Sequence, residues 1–224
     1  MTYRGYSREQ IAAFIDHTVL KPAASSDDIR AAVAVAIEAS VAAVCFRPSD
    51  MVLAKELLGD SSVGLATVVG FPHGTNDSYV KAFETSLAVS QGATEIDMVI
   101  HIGHLIEGRD DLVLADIKAV VEAADDALVK VILETSELND EQIVRACELS
   151  RDAGAGYVKT STGFASAGAN AHVVSLMAKT VPGLGVKASG GVRTLDQLID
   201  MVEAGATRVG ASGTLSILAE FDAK

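Results

Sequence analysis

Two lysines sit near the ends of two apolar, strand-like runs, each followed by a glycine-bearing loop: Gly-Tyr-Val-Lys159-Thr-Ser-Thr-Gly163 and Gly-Val-Lys187-Ala-Ser-Gly190-Gly191. Lysine is mostly a surface residue, and an ammonium drawn out of water loses solvation, so its pKa falls. Two lysines in the same kind of site, one strand–helix unit apart, point to amine chemistry. One serves as a nucleophile, and the other is a cation that keeps it deprotonated.

Such chemistry needs a scaffold that holds short strand ends together. Short apolar runs alternate with amphipathic ones along the chain. Strand-like runs fall at 17–20, 41–46, 63–69, 94–100, 128–134, 156–159, 185–188 and 207–210. Helical patterns lie between them. Ser7 caps a first helix from Arg8 to about Ile15, and Ser25 or Ser26 precedes a helix through Ala39 with Asp27 and Asp28 in its first turn. Asn76 caps a helix through Ser90, and Arg109 to Ala124 repeats apolar residues at helical spacing. Asn139 caps Glu141 to Ala153, and helices over 169–180 and 194–204 follow. Eight strands with helices between them and no break in composition predict a (β/α)8 TIM barrel with an extra N-terminal helix, as a single domain over 1–224. The alternative is an open, doubly wound sheet. No Gly-x-Gly-x-x-Gly follows the first strand, which lowers a dinucleotide-binding reading.

In a barrel, alternate strand residues point inward and reactive groups gather at the C-terminal strand ends. In Thr94-Glu95-Ile96-Asp97-Met98-Val99-Ile100, parity sends Ile96, Met98 and Ile100 toward the helices, and Glu95 and Asp97 toward the lumen. The same logic turns Lys130, Glu134, Lys159 and Lys187 inward. Buried charges of both signs must pair. A purely structural ion-pair network is the competing account. Three hydroxyl- and glycine-bearing loops follow strands six to eight: Thr160-Ser161-Thr162-Gly163, Ser189-Gly190-Gly191 and Gly210-Ala211-Ser212-Gly213. Barrels often bind phosphate in the last two such loops, where glycine permits close backbone approach. His101 and His104 have a spacing that suits a metal, but no third ligand stands at a convincing position, and no metal or cofactor is expected. Cys45 reads first as a small core hydrophobe and second as part of a pocket wall.

Composition narrows the partners. The 224 residues are 49% hydrophobic and only 4% aromatic, so the core is aliphatic. A net charge of -12 argues against nucleic acid or an anionic membrane as partner. An anionic substrate therefore needs a locally positive pocket. Cys45 and Cys147 follow no metal-ligand pattern, the N-terminus is polar, and no apolar run is long enough to span a membrane. A reduced cytoplasmic location is the expectation.

Several motifs, in order, cover nearly the whole chain. They are Asp16-His17-Thr18-Val19-Leu20-Lys21-Pro22, Val44-Cys45, Gly70-Phe71-Pro72-His73-Gly74, Glu95-Ile96-Asp97-Met98-Val99, Val158-Lys159-Thr160-Ser161-Thr162-Gly163 and Val186-Lys187-Ala188-Ser189-Gly190-Gly191-Val192-Arg193. Together they resemble the deoxyribose-phosphate aldolases. The resemblance implies a metal-free aldolase that forms a Schiff base and reversibly cleaves 2-deoxy-D-ribose 5-phosphate to glyceraldehyde 3-phosphate and acetaldehyde. By that likeness Lys159 is the Schiff-base lysine, Lys187 the lysine that perturbs it, and Asp97 the acid/base carboxylate. Through a water, Asp97 can move protons during the carbinolamine and enamine steps. Gly190, Gly191, Gly210 and Ser212 match the phosphate cup, with Gly163 beside it. Asp16, Thr18, Cys45 and Thr160 are carried over as substrate-binding positions. Barrels of this type often dimerise, so a homodimer is considered, with no interface legible in one chain.

Two departures stand out. The usual asparagine after the Asp97 strand is His101 here, and the sequence ends Phe221-Asp222-Ala223-Lys224 where longer family members carry a tail with a terminal tyrosine. The resemblance implies that water or another group takes that tyrosine's place in proton transfer. Another Schiff-base sugar-phosphate lyase and a silent sugar-phosphate-binding barrel remain the competing functions.

Overall fold

A computed structural model describes residues 2–224. Its strands are β1 (Ile15–Val19), β2 (Ala43–Phe46), β3 (Gly64–Val69), β4 (Glu95–Val99), β5 (Leu128–Ile132), β6 (Tyr157–Lys159), β7 (Gly185–Ser189) and β8 (Arg208–Ala211). Its helices are α1 (Arg8–Phe14), α2 (Ser26–Ala39), α3 (Met51–Leu58), α4 (Ser78–Ser90), α5 (Ile102–Ile106), α6 (Asp110–Ala123), α7 (Asp140–Asp152), α8 (Ala171–Thr180), α9 (Leu195–Glu203) and α10 (Thr214–Asp222). All eight strands are parallel and close into a barrel in sequence order. β8 returns to β1 with Ile15 opposite Val209 and Asp16 opposite Gly210. This is the (β/α)8 barrel that the alternating pattern predicts, and the open sheet is excluded. α1 precedes β1 as the additional N-terminal helix.

Local chemistry sets the helix starts. Ser7, Ser25, Asn139 and Thr194 each accept from the third backbone N–H of their helix, and the side chain there reaches back to close a capping box. α4 differs from expectation, because Asp77 and not Asn76 supplies the cap, accepting from the Tyr79 N–H. α3, α5 and α10 were not legible as helices. None of the three has an Asp, Ser or Thr side chain bonded to its first turn: α3 follows a turn that begins at Pro48, His101 precedes α5, and Gly213 precedes α10.

Strand parity divides the interior. Ile96, Met98, Val131, Val158, Val186 and Val209 face the helices and join the main aliphatic core. The lumen has two unlike arcs. Near β2 and β3 it holds a small apolar group, Leu20, Cys45, Ala66 and Val68, with Phe71 packed against it. From β4 round to β1 it holds Glu95, Asp97, Lys130, Lys159, Lys187 and Asp16, all buried, together with part-buried Arg208. Among the described residues no helix is long and apolar enough to cross a membrane.

Candidate active site

The ionic arc is built around one carboxylate. Lys130 Nζ lies 2.7 Å from Asp97 Oδ1, while Lys159 Nζ and Lys187 Nζ each lie 2.7 Å from Oδ2. Strand register makes this meeting possible. Asp97 stands opposite Lys130, and Lys159 opposite Lys187. A second layer holds the first. Asp16 Oδ2 is 2.5 Å from Lys187 Nζ, and Asp16 Oδ1 is 2.5 Å from the Arg208 guanidinium. Glu95 completes the layer, 2.5 Å from Lys130 Nζ and 3.0 Å from Arg208.

Charge balance in this arc decides which lysine is neutral. Lys130, Lys159, Lys187 and Arg208 face only Asp16, Glu95 and Asp97. With every group ionised the arc carries one excess positive charge in a poorly solvated place, and removing one proton balances it. The neighbours select the site of that loss. For Lys187, burial favours the amine, but Asp16 and Asp97 outweigh it and hold the ammonium well above the ordinary lysine range. Lys130 follows the same pattern, its burial overcome chiefly by Asp97. For Lys159 burial is the largest effect, Asp97 opposes it, Lys187 adds to it, and the pKa falls below its ordinary value. Asp97 is buried too, yet Lys130, Lys159 and Lys187 hold its carboxyl well below the usual carboxylate range. The arc thus offers one amine poised to attack, beside a carboxylate that stays ionised.

Lys159 opens onto a cavity of about 850 Å³. Thr18, Gly163, Gly190, Gly191, Gly210 and Ser212 also line it, so these positions meet in one place. Asp97 and Lys187 stand directly behind Lys159. Asp16, Cys45 and Thr160 are fully buried and do not line the cavity. Asp16 serves the lysines instead. Cys45 belongs to the apolar arc, where burial, then Asp97, pushes its thiol up to about 11. Thr160 braces the next loop, its Oγ1 donating to the Ser189 carbonyl (3.1 Å) and accepting from the Ser189 N–H (3.0 Å).

One end of the cavity suits an anion. It is walled by the Gly190–Gly191 and Gly210–Gly213 loops at the start of α10, and the cavity is also lined by Lys21 and Arg193. Gly190 has φ +86, and a Cβ there would lie 2.9 Å from the Gly168 Cα, so no larger residue fits. His17 secures α10, its Nδ1 2.8 Å from the Thr214 hydroxyl, and burial keeps the ring below its ordinary pKa. Part of the lining is apolar. Phe164 lines the cavity, and Phe71 meets it edge to face at 5.3 Å.

One expectation meets a different arrangement, and one member of the arc was not expected. Glu134 does not join the ion pairs. The backbone leaves β5 before it, Glu134 adopts φ +55, and its carboxylate accepts from the Thr162 N–H and hydroxyl, fixing the loop that presents Phe164. Arg208 was missed, although period-two logic extended to β8 turns it inward with Gly210. His101 and His104 stack ring on ring, 3.6 Å apart, and no third ligand joins them among the described residues.

Comparison with known proteins points the same way. The family model for DeoC/LacD family aldolase matches residues 10–223. A deoxyribose-phosphate aldolase of Streptococcus suis is 53% identical over 206 residues, 92% of this chain and 94% of that one. One from Macrococcus caseolyticus is 50% identical, over 96% and 98% of the two chains. Among solved structures, a putative deoxyribose-phosphate aldolase from Coccidioides immitis superposes with a TM-score of 0.95 at 43% identity, over 98% of this chain and 88% of that one. The deoxyribose phosphate aldolase of Aeropyrum pernix, described as a tetramer, gives 0.91 at 34% identity, over 96% and 92%.

Proposed function

The chain belongs to the DeoC/LacD aldolase family, and from that premise we propose that it reversibly cleaves 2-deoxy-D-ribose 5-phosphate to glyceraldehyde 3-phosphate and acetaldehyde. The observation that carries the reading is the Lys159 amine, held by Asp97 beside cationic Lys187 and open to a cavity with an anion-binding end. In this reading residues 1–224 act as one aldolase domain; Met1 lies outside the described residues.

The chemistry follows from the charges. Neutral Lys159 attacks the substrate aldehyde carbon, and proton transfer through Asp97 turns the carbinolamine into an iminium with loss of water. The iminium accepts the electron pair of the C2–C3 bond. As that bond breaks, the C3 hydroxyl gives up its proton and becomes the aldehyde of glyceraldehyde 3-phosphate. The enamine left on Lys159 takes a proton at carbon, and water releases acetaldehyde and regenerates the amine. The iminium is the electron sink, so these steps call on no metal or cofactor. The phosphate rests in the loops of Gly163, Gly190, Gly191, Gly210 and Ser212, its charge met by backbone N–H groups, Lys21 and Arg193. Thr18, on β1, lines the same cavity as Lys159.

Borohydride added to the protein with acetaldehyde tests this. A single ethyl adduct mapped to Lys159 is expected. Labelling spread over surface lysines, or no labelling, overturns it in favour of a silent phosphate-binding barrel.

We propose further that the chain forms a homodimer through α4. The exposed face of that helix presents Tyr79, Val80, Phe83, Ser86, Leu87 and Ser90, with no charged residue, on a chain of net charge -12. Two like-charged copies approach most readily there, Phe83 packing near its twofold mate. Sedimentation should give a dimer, and Phe83→Glu a monomer; a monomeric parent overturns this. The net charge also supports a protein that leaves nucleic acid and membranes alone, and the two free, buried cysteines support a reduced cytoplasmic setting.

A further inference from the structure

Ser189 is the one cavity-lining side chain whose buried hydroxyl has no hydrogen-bond partner among the described residues. The backbone around it is fully engaged. Its N–H and carbonyl are both bonded to the Thr160 hydroxyl, and its carbonyl also accepts from the Ala169 N–H at 3.0 Å. The residue is therefore held rigidly, with only Oγ free. A methyl placed on Gly210 would lie 2.4 Å from Ser189 Oγ and 3.5 Å from Lys187 Cε. Oγ and the Lys187 side chain thus pack together against Gly210, and only glycine there leaves room for the Ser189 hydroxyl. A buried hydroxyl without a partner loses hydration for no return, so such groups in native proteins call for an explanation.

Ser161 gives the contrast. Its Oγ is also buried and unpartnered, but Ser161 does not line the cavity.

We propose that Ser189 Oγ is a substrate-positioning group that hydrogen-bonds the hydroxyl on the carbon next to the carbonyl of the acceptor aldehyde. The inference rests on the aldolase reading above. With Lys159 holding the aldehyde carbon at one end and the glycine loops holding phosphate at the other, the middle of the substrate carries the hydroxyls. Ser189 lies on β7 between Lys187 and Gly190–Gly191, on the same face as Lys187, and so meets that middle. A site that satisfies a substrate hydroxyl disfavours an analogue lacking it, because its own polar group is then left unpaired.

Glycolaldehyde and propanal make the test, since they differ by a hydroxyl in place of a methyl. Addition of acetaldehyde to each is followed in the parent, Ser189→Ala and Ser161→Ala. The expected result is a fall of about tenfold in the kcat/KM ratio of glycolaldehyde to propanal for Ser189→Ala, the loss of one hydrogen bond. Ser161→Ala leaves the ratio unmoved. Ser189→Gly, which also lacks the hydroxyl, reproduces the fall. An unchanged ratio in the Ser189 variants, or equal loss for both acceptors, overturns the proposal. Borohydride trapping of acetaldehyde on the unsubstituted protein separates the two failures. Absence of the Lys159 adduct sinks the aldolase reading itself, whereas an adduct with an unmoved ratio sinks only the role of Ser189.

Discussion

Two buried lysine sites in this protein obey the same electrostatics and reach opposite ends. Lys81, on α4, is fully buried outside the barrel. Its Nζ lies 2.6 Å from Asp116 on α6 and 2.9 Å from the Val99 carbonyl, and the Ser78 hydroxyl donates to the same carboxylate. One cation has one carboxylate to itself, and the site is closed. In the lumen Lys159 shares one Asp97 oxygen with Lys187, and its end reaches a cavity. Burial pulls down the pKa of both Lys81 and Lys159, and a carboxylate opposes it in both. The difference is the second ammonium beside Lys159, and the opening. A paired, sealed lysine staples helices to a strand. A crowded, open one is the amine to which we assign the nucleophile's role.

The largest effect that probes this contrast is on catalysis. Lys159→Ala should lower kcat by about 10³-fold or more, while the melting temperature stays level or rises, because Lys130 and Lys187 still hold Asp97. Turnover near the parent rate would remove Lys159 from the chemistry. Next comes Lys187→Met. Without the neighbouring ammonium the Lys159 pKa should rise, moving imine formation toward alkaline pH and slowing it at neutral pH by about 10²-fold. An imine titration that stayed in place would show that burial alone tunes Lys159.

The third prediction inverts the contrast. Lys81→Met leaves Asp116 buried without its cation and should cost about 3–5 kcal/mol of stability by chemical denaturation. The acetaldehyde adduct on Lys159 should still form. Lys81→Met combined with Asp116→Leu should recover most of the loss, since an apolar pair of similar size replaces an ion pair at little cost. A single variant as stable as the parent would mean that the staple is idle.

The sequence made one of these sites legible and hid the other, for a physical reason. Strand side chains alternate with a period of two, so a charge in an apolar strand is assigned a side by counting. That placed Asp97, Lys130, Lys159 and Lys187 in the lumen. Lys81 lies on a helix, where a charged residue reads as solvated face, and only the tertiary approach of α6 supplies Asp116. Glu134 shows where counting stops. Parity holds only while the backbone is extended, and the chain turns into a left-handed conformation at that residue. Asp16 was placed at the substrate by resemblance, whereas its contacts are with Lys187 and Arg208. Motif identity marks a position as belonging to the site without saying which layer it occupies.

The smallest effect is on the pH dependence of stability. Lys159 has a folded-state pKa below its ordinary 10.5. Between the two values the unfolded chain binds a proton that the folded protein does not, so stability rises with pH across that window. Below the window both states are protonated and the folded protein carries the full penalty of a fourth cation in the lumen. Lys159→Ala has no such group. Its stability relative to the parent should be most favourable at the low end and should shrink as pH approaches 10.5, by about 1.4 kcal/mol for each unit of displacement. Lys187 works in the opposite sense, because its raised pKa stabilises the fold up to its ordinary value and fades only in stronger alkali. Denaturation curves of parent and Lys159→Ala, taken from neutral pH to about 10, should therefore converge. Parallel curves would mean that Lys159 titrates as it does in water, and that neither its burial nor the Lys187 ammonium tunes it.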